Sequence, residues 1–231
     1  MLLWIIFGAF AILSMIVSRT LKSKFKKYSE IPLQYTGAQI AMKMLQDNHL
    51  NGVAVRPTDG VLTDYYDPSN RTVNLSSEVY SASTVAAAAV AAHETGHALQ
   101  HAQGYKAMAL RTALVPVLNI SNTVLNVIFI GSFVAALFMQ NLFPWDLALK
   151  IIIASYTIMT LFSFITLGVE IDASRRAINW LTESGVITYG VTRDSAVDAL
   201  KWAAYTYLVS ALSYLATLLY YILQFVGSNR D

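Results

Sequence analysis

The chain alternates between long uncharged runs and stretches that mix polar and apolar positions at helix or strand spacing. Residues 2–18, LLWIIFGAFAILSMIVS, form the first run and as a helix would extend roughly 25 Å, enough to cross most of a bilayer core. Comparable runs cover residues 113–139, 151–169 and 203–226, so four transmembrane helices are expected. Between the second and third lies Gln140-Asn141-Leu142-Phe143-Pro144-Trp145-Asp146, with the proline and interfacial aromatics of a turn at a membrane surface.

The remaining pattern predicts a small α+β insert. Thr36 to Asn48 opens with a capping threonine and keeps Ile40, Met44 and Leu45 at helical spacing. Val53-Ala54-Val55 is a strand candidate. Asp64-Tyr65-Tyr66 and Thr72-Val73-Asn74-Leu75 flank the turn residues Asp67-Pro68-Ser69-Asn70, which predicts a hairpin able to offer an edge strand, along Thr72 to Ser76, to an extended ligand. Ser81 to His101 is alanine-rich and predicts a helix whose small side chains let neighbouring backbones approach. The expected fold is a mainly α membrane protein, with four transmembrane helices and a cytoplasmic α+β insert. Its expected divisions are an anchor (1–18), an α+β region (19–112), a transmembrane hairpin (113–169), a cytoplasmic helical segment (170–202) and a last transmembrane helix with its tail (203–231).

Composition agrees with the membrane reading: 55% of residues are hydrophobic, 13% are charged, and mean hydropathy is +0.49. The absence of cysteine excludes disulfides, thiolate metal sites and cysteine nucleophiles. A net charge of +2 argues against a nucleic-acid partner and leaves the lipid bilayer as the expected one. The first run lacks a basic segment before it and a small-residue cleavage site after it, while Arg19, Lys22, Lys24, Lys26 and Lys27 follow it. That order predicts an uncleaved anchor with its N-terminus outside and its basic flank in the cytoplasm. Residues 19–112 and 170–202 are then cytoplasmic and hold fourteen of the sixteen Lys and Arg, leaving only Lys150 and Arg230 elsewhere.

Within the alanine-rich helix lies His93-Glu94-Thr95-Gly96-His97. Histidines four apart stack on one helix face about 6 Å from each other, so both rings can turn toward one zinc ion. Glu94, about 100° around, can reach a water on that ion without replacing a ligand. Such a pattern arises by chance in about one chain of this length per hundred, but the apolar flanks VAAAAVAA and Ala98-Leu99 argue against two solvated surface histidines. His101 lies about 12 Å of helix rise from His93, too far to share its ion, and is expected beside the site or in packing. Gln103 stands where a metzincin would carry its third histidine. His49 is expected to be solvated in a turn. Glu170 follows an uncharged run directly, at a depth costly for an unpartnered carboxylate, and is the candidate third ligand; snorkelling to the surface or pairing with Arg175 or Arg176 are the alternatives.

HETGHALQHAQGY, followed after two spans by VEIDASRRA, resembles the bacterial membrane neutral zinc metallopeptidases of the YugP type, a gluzincin group. The resemblance extends to the anchor, the YYDPSNRTVNLS segment and the final span. It implies a zincin-like insert holding Zn2+ through His93, His97 and Glu170, with Glu94 as general base in hydrolysis of peptide or membrane-protein substrates at the cytoplasmic membrane surface. Many gluzincins place an aspartate four residues after the ligand glutamate; here that position is Ser174, and Asp172 lies about 200° around the helix, a poor direct substitute. Arg175, Arg176, Tyr65 and Tyr66 are candidates for an oxyanion donor. The nearest rival is a protease cutting within the bilayer, disfavoured because Lys106 and Arg111 separate the motif from the next span. A non-catalytic metal-binding scaffold or ion carrier is the alternative from a different class. The spans lack central acidic residues and histidines, which disfavours a carrier, and Glu94 is present, which disfavours an inactive scaffold.

Overall fold

The computed structural model describes residues 1–138 and 145–228. Residues 140–144 of the expected surface turn lie outside these, and Trp145 and Asp146 open a helix. Each expected span lies in one long helix: α1 (Leu2–Tyr28), α5 (Lys106–Phe138), α6 (Trp145–Glu183) and α7 (Val191–Ser228). All four continue past their apolar runs, because good helix formers such as Lys, Arg, Ala and Leu extend the pattern into polar sequence.

The chain divides into two compact units. One comprises Met1–Ser14, Leu110–Leu167 and Tyr207–Asp231 and holds the most apolar parts of the four helices. Its interior includes Leu125, Ile152, Met159 and Leu218, with the ring of Tyr156 stacked on Tyr221. Ile120, Val127, Ile130 and Phe133 on α5 are exposed; a run of large apolar side chains on one helix surface is what lipid, rather than water, would cover.

The second unit comprises Met15–Ala109 and Gly168–Thr206. Helix α2 (Gly37–Asp47) starts at a reciprocal capping box: the Thr36 hydroxyl accepts from Gln39 N–H, and the Gln39 side chain accepts from Thr36 N–H. It buries Ile40, Ala41, Met44 and Leu45 against the helix α4 (Val85–Ala102) and the strands. Each of the larger of these contributes about 1.5–3 kcal/mol of apolar burial. Strands β1 (Ala54–Thr58), β2 (Tyr65–Asp67) and β3 (Thr72–Ser76) form one sheet in the order β1-β3-β2. The expected hairpin is present, with Tyr66 opposite Val73 in antiparallel register. Its turn is organised by Asp67, whose carboxylate accepts from Ser69 N–H, Asn70 N–H and the Asn70 amide.

Two expectations are corrected. Thr72–Ser76 is no edge: β3 lies between β1, to which it is parallel, and β2, and it is buried throughout. The edges are β2 and β1, and Pro57 in β1 fits an edge strand, because proline cannot complete an interior ladder. The motif helix begins at Val85 rather than Ser81. Ser81 ends the short helix α3 (Ser77–Ser81), and residues 82–84 run extended beside Ile31–Leu33, through Leu33 N–H to Ser83 O and Val85 N–H to Ile31 O. Thr84 then caps α4 by accepting from Ala87 N–H.

Candidate metal centre

α4 packs against α6 along a face made almost flat by alanine and glycine. Val169, Ala173 and Ala177 on α6 are fully buried, as are Ala88, Ala89 and Ala92 on α4. Gly96 is the tightest point: a Cβ there would lie 2.7 Å from the Ala173 carbonyl oxygen. The glycine inside the motif therefore permits an approach that alanine would block.

That approach brings His93 and His97 to Glu170. Nε2 of His93 lies 3.2 Å and Nε2 of His97 3.6 Å from the same oxygen, Oε2 of Glu170. One potential ligand atom from each of the three residues falls within 4.8 Å of the others. Glu170 and His97 are buried and His93 nearly so. Glu170 meets the histidines, and Arg176 pairs with Asp172 at 2.6 Å instead. Arg175 is exposed.

The far side of each ring is also engaged. His93 Nδ1 meets the Ser174 hydroxyl at 3.1 Å. His97 Nδ1 meets Gln100 Oε1 at 2.9 Å. Gln100 is fully buried, and its amide nitrogen donates to Val169 O and to Asp172 Oδ2, both at 2.9 Å. With both amide protons committed, Oε1 can only accept, so His97 Nδ1 carries the proton and Nε2 presents a lone pair toward Glu170. Asp172 touches neither ring, as its helix angle requires, yet reaches His97 through this amide. Arg176 holds the other end of the chain, with Nε on Asp172 and Nη1 donating to Gln103 Oε1 at 2.5 Å.

Gln100 is the residue that sequence reasoning missed. Its signal was available: a glutamine three residues after His97 shares its helix face, and glutamine is seldom buried without a structural partner.

Glu94 lies beside this cluster and also reaches the sheet. Its Oε2 accepts from Tyr66 N–H in β2 at 3.1 Å. Burial pushes the Glu94 carboxyl above its ordinary value, while the imidazoles of His93 and His97 act the other way. Asp64, just before β2, accepts from Ser76 N–H and Ser76 Oγ and so fixes the start of the strand that reaches Glu94. The candidate oxyanion donors do not gather here. Arg176 is committed to Asp172 and Gln103, the Tyr66 hydroxyl contacts His101 Nδ1 at 2.8 Å, and Tyr65 is exposed. His101 thus lies outside the cluster, and His49 is exposed in a turn with φ 57°.

Two imidazole nitrogens and one carboxylate oxygen, converging from two rigid helices with the outer nitrogen of each ring hydrogen-bonded, form a donor set that fits a divalent zinc ion with one position left open. No solved structure matches the chain. "Putative membrane protease YugP" of Bacillus subtilis (strain 168) is 38% identical over 212 residues, which cover 91% of this chain and 90% of that protein. Residues 3–226 match the family described as "Putative neutral zinc metallopeptidase". With four membrane-length helices and this match across nearly its whole length, the chain belongs to that zinc metallopeptidase family.

Proposed function

We propose that this protein is a zinc endopeptidase acting at the cytoplasmic face of a bacterial membrane, with His93, His97 and Glu170 as metal ligands and Glu94 as general base. The observation that carries the proposal is the convergence of three potential ligand atoms within 4.8 Å beside a half-buried carboxylate that is not one of them. A bound zinc ion supplies Lewis acidity, which lowers the pKa of a water and polarises a scissile carbonyl. His97 offers Nε2 because Gln100 holds the proton on Nδ1, and Ser174 steadies the His93 ring at 3.1 Å. Glu94 accepts the water's proton at Oε1 and returns it to the leaving amine, while Tyr66 N–H anchors Oε2. The upward push on its carboxyl makes it a stronger proton acceptor than an exposed glutamate.

The position of β2 at the edge of the sheet supports a main-chain mode of binding, since Tyr66 in that strand adjoins Glu94 and an extended peptide can pair with an edge. The cytoplasmic assignment rests on the distribution of Lys and Arg between the apolar runs.

Purified protein in detergent, tested against casein and a destabilised membrane protein with metal analysis in parallel, checks the proposal. Glu94→Gln should keep zinc and lose cleavage. Glu170→Ala should lose both, and full zinc occupancy in that variant would sink its role as a ligand.

A further inference from the structure

α4 has a second functional stripe. Glu94, Ala98, His101 and Ala102 stand at spacings of four, seven and eight residues and share one side of the helix. One end of the stripe is the carboxylate under Tyr66 N–H. The other is a wall of a cavity of about 370 Å³, closed by the His49–Val53 loop and by Tyr66 and Arg71 of the hairpin. Its volume lies within the range of small-ligand sites and exceeds the needs of one acidic side chain.

Every titratable side chain lining this cavity is a hydrogen-bond donor or a base: His49, Tyr66, Arg71 and His101. Asp67, next to Tyr66 in the strand, has its oxygens occupied by Ser69 and Asn70. Arg71 makes no ion pair with a carboxylate among the described residues. Its backbone is fixed at φ 53°, and its carbonyl accepts from Ala54 N–H at 3.0 Å. Tyr66 and His101 are tied together at 2.8 Å. Phenol is the stronger acid, so Tyr66 donates to Nδ1 and His101 keeps Nε2–H as a further donor. Arg71 and Tyr66 line the same cavity, where burial pushes the phenol up and the Arg71 charge opposes it.

We propose that this cavity is a substrate subsite for a carboxylate, carried by an acidic side chain or by a peptide C-terminus, with Arg71 as the charged anchor and His49 and His101 as flanking donors. The inference rests on the peptidase reading of the neighbouring centre. Seven residues of helix rise separate His101 from Glu94 by about 10 Å, the reach of about three extended peptide residues. The subsite therefore reads a position near the scissile bond rather than a remote one. An arginine there can hold a carboxylate through two parallel hydrogen bonds, which a lysine cannot.

The test uses the full-length, zinc-loaded protein in detergent and quenched fluorescent peptides. Each peptide carries Glu, Gln or Lys at one position within four residues of the scissile bond, with its C-terminus free or amidated. At one position Glu should be favoured over Gln by about tenfold in kcat/KM, expressed in KM, the scale of one charge-assisted hydrogen bond. Arg71→Met should abolish that preference and Arg71→Lys should keep part of it. In both variants zinc content should stay at the wild-type level, which separates loss of the anchor from loss of the metal centre. A preference for the free over the amidated terminus, in place of Glu over Gln, assigns the carboxylate to the chain end.

Fluorescence anisotropy of the same peptides on Glu94→Gln reads binding without cleavage. A protein that binds carboxylate peptides more tightly but cleaves none overturns the peptidase reading and keeps the subsite. Cleavage of neutral and acidic peptides at equal kcat/KM, or a preference that survives Arg71→Met, overturns the subsite and keeps the peptidase.

Discussion

Gln100 offers the most discriminating test of how the centre is held. Replacing it by leucine keeps most of the buried volume and removes three hydrogen bonds: to His97 Nδ1, Val169 O and Asp172 Oδ2. The two neutral bonds contribute about 1 kcal/mol each and the bond to the carboxylate about 1.5–3 kcal/mol, so Gln100→Leu should destabilise the insert by about 3.5–5 kcal/mol. The effect on metal binding has a different origin. Without an acceptor at Nδ1 the ring can place its proton on Nε2, and it loses the contact that orients it and raises its basicity; such losses cost about 10–100-fold in affinity.

Gln100→Glu separates the two effects. A carboxylate at this position still accepts from His97 Nδ1, so zinc affinity should stay within about threefold of wild type. It can no longer donate to Val169 O, and it sets a second acid beside Asp172, so stability should fall at least as far as in the leucine variant. Competition with a chromogenic chelator gives the affinities, and thermal unfolding in the same detergent gives the stabilities. Wild-type zinc affinity in Gln100→Leu would refute the reasoning, since the ring would then be oriented without the amide.

Three further outcomes follow from particular contacts. Gly96→Ala places a methyl group 2.7 Å from the Ala173 carbonyl, a backbone atom that no side-chain trimming can relieve, so it should cost about 1–3 kcal/mol and lower zinc content; wild-type values for both would show that α6 can shift freely. Asp64→Asn keeps an acceptor for Ser76 N–H and removes a carboxyl that burial pushes above its ordinary 3.8. The folded wild type holds that proton to higher pH than the unfolded chain, so its stability relative to Asp64→Asn should be greatest below pH 3.8 and should decline as pH rises through the folded-state value; a pH-independent difference in unfolding midpoints would contradict this. The chain has no native cysteine, so single cysteines at Ser69 and Leu2 report orientation directly. A membrane-impermeant maleimide should label Leu2→Cys in intact cells and Ser69→Cys only after permeabilisation, and the reverse pattern would overturn the cytoplasmic assignment.

What could be read from the sequence divides by range. Uncharged runs of membrane length, the Thr36 cap and the hairpin around Asp67 are set by contacts within a few residues, and each appears where the pattern placed it. The sheet order was hidden because β1 and β3 pair in parallel across the hairpin, a choice made by the helices beneath rather than by either strand. The start of α4 was misplaced for the same reason: Ser81 to Thr84 has no strong helix breaker, and residues 82–84 are extended because Ile31 and Leu33 supply their hydrogen bonds.

The grouping of His93, His97 and Glu170 was legible in the sequence, and the contacts that support it were not. An angle drawn on one helix removes Asp172 from the rings of α4, and the structure keeps that angle while bridging the gap with Gln100, whose partner is 72 positions distant. Sequence spacing describes one helix at a time, whereas the ring of His97 is oriented by two helices at once, held close enough by Gly96 for an amide to span them. The glycine and the glutamine are therefore one device. Gly96 sets the separation that Gln100 bridges, so a double variant carrying Gly96→Ala and Gln100→Leu should lose less zinc affinity than the sum of the two single losses, because the bridge is already broken once α6 is displaced. Additive losses would mean that the two residues act on the centre independently.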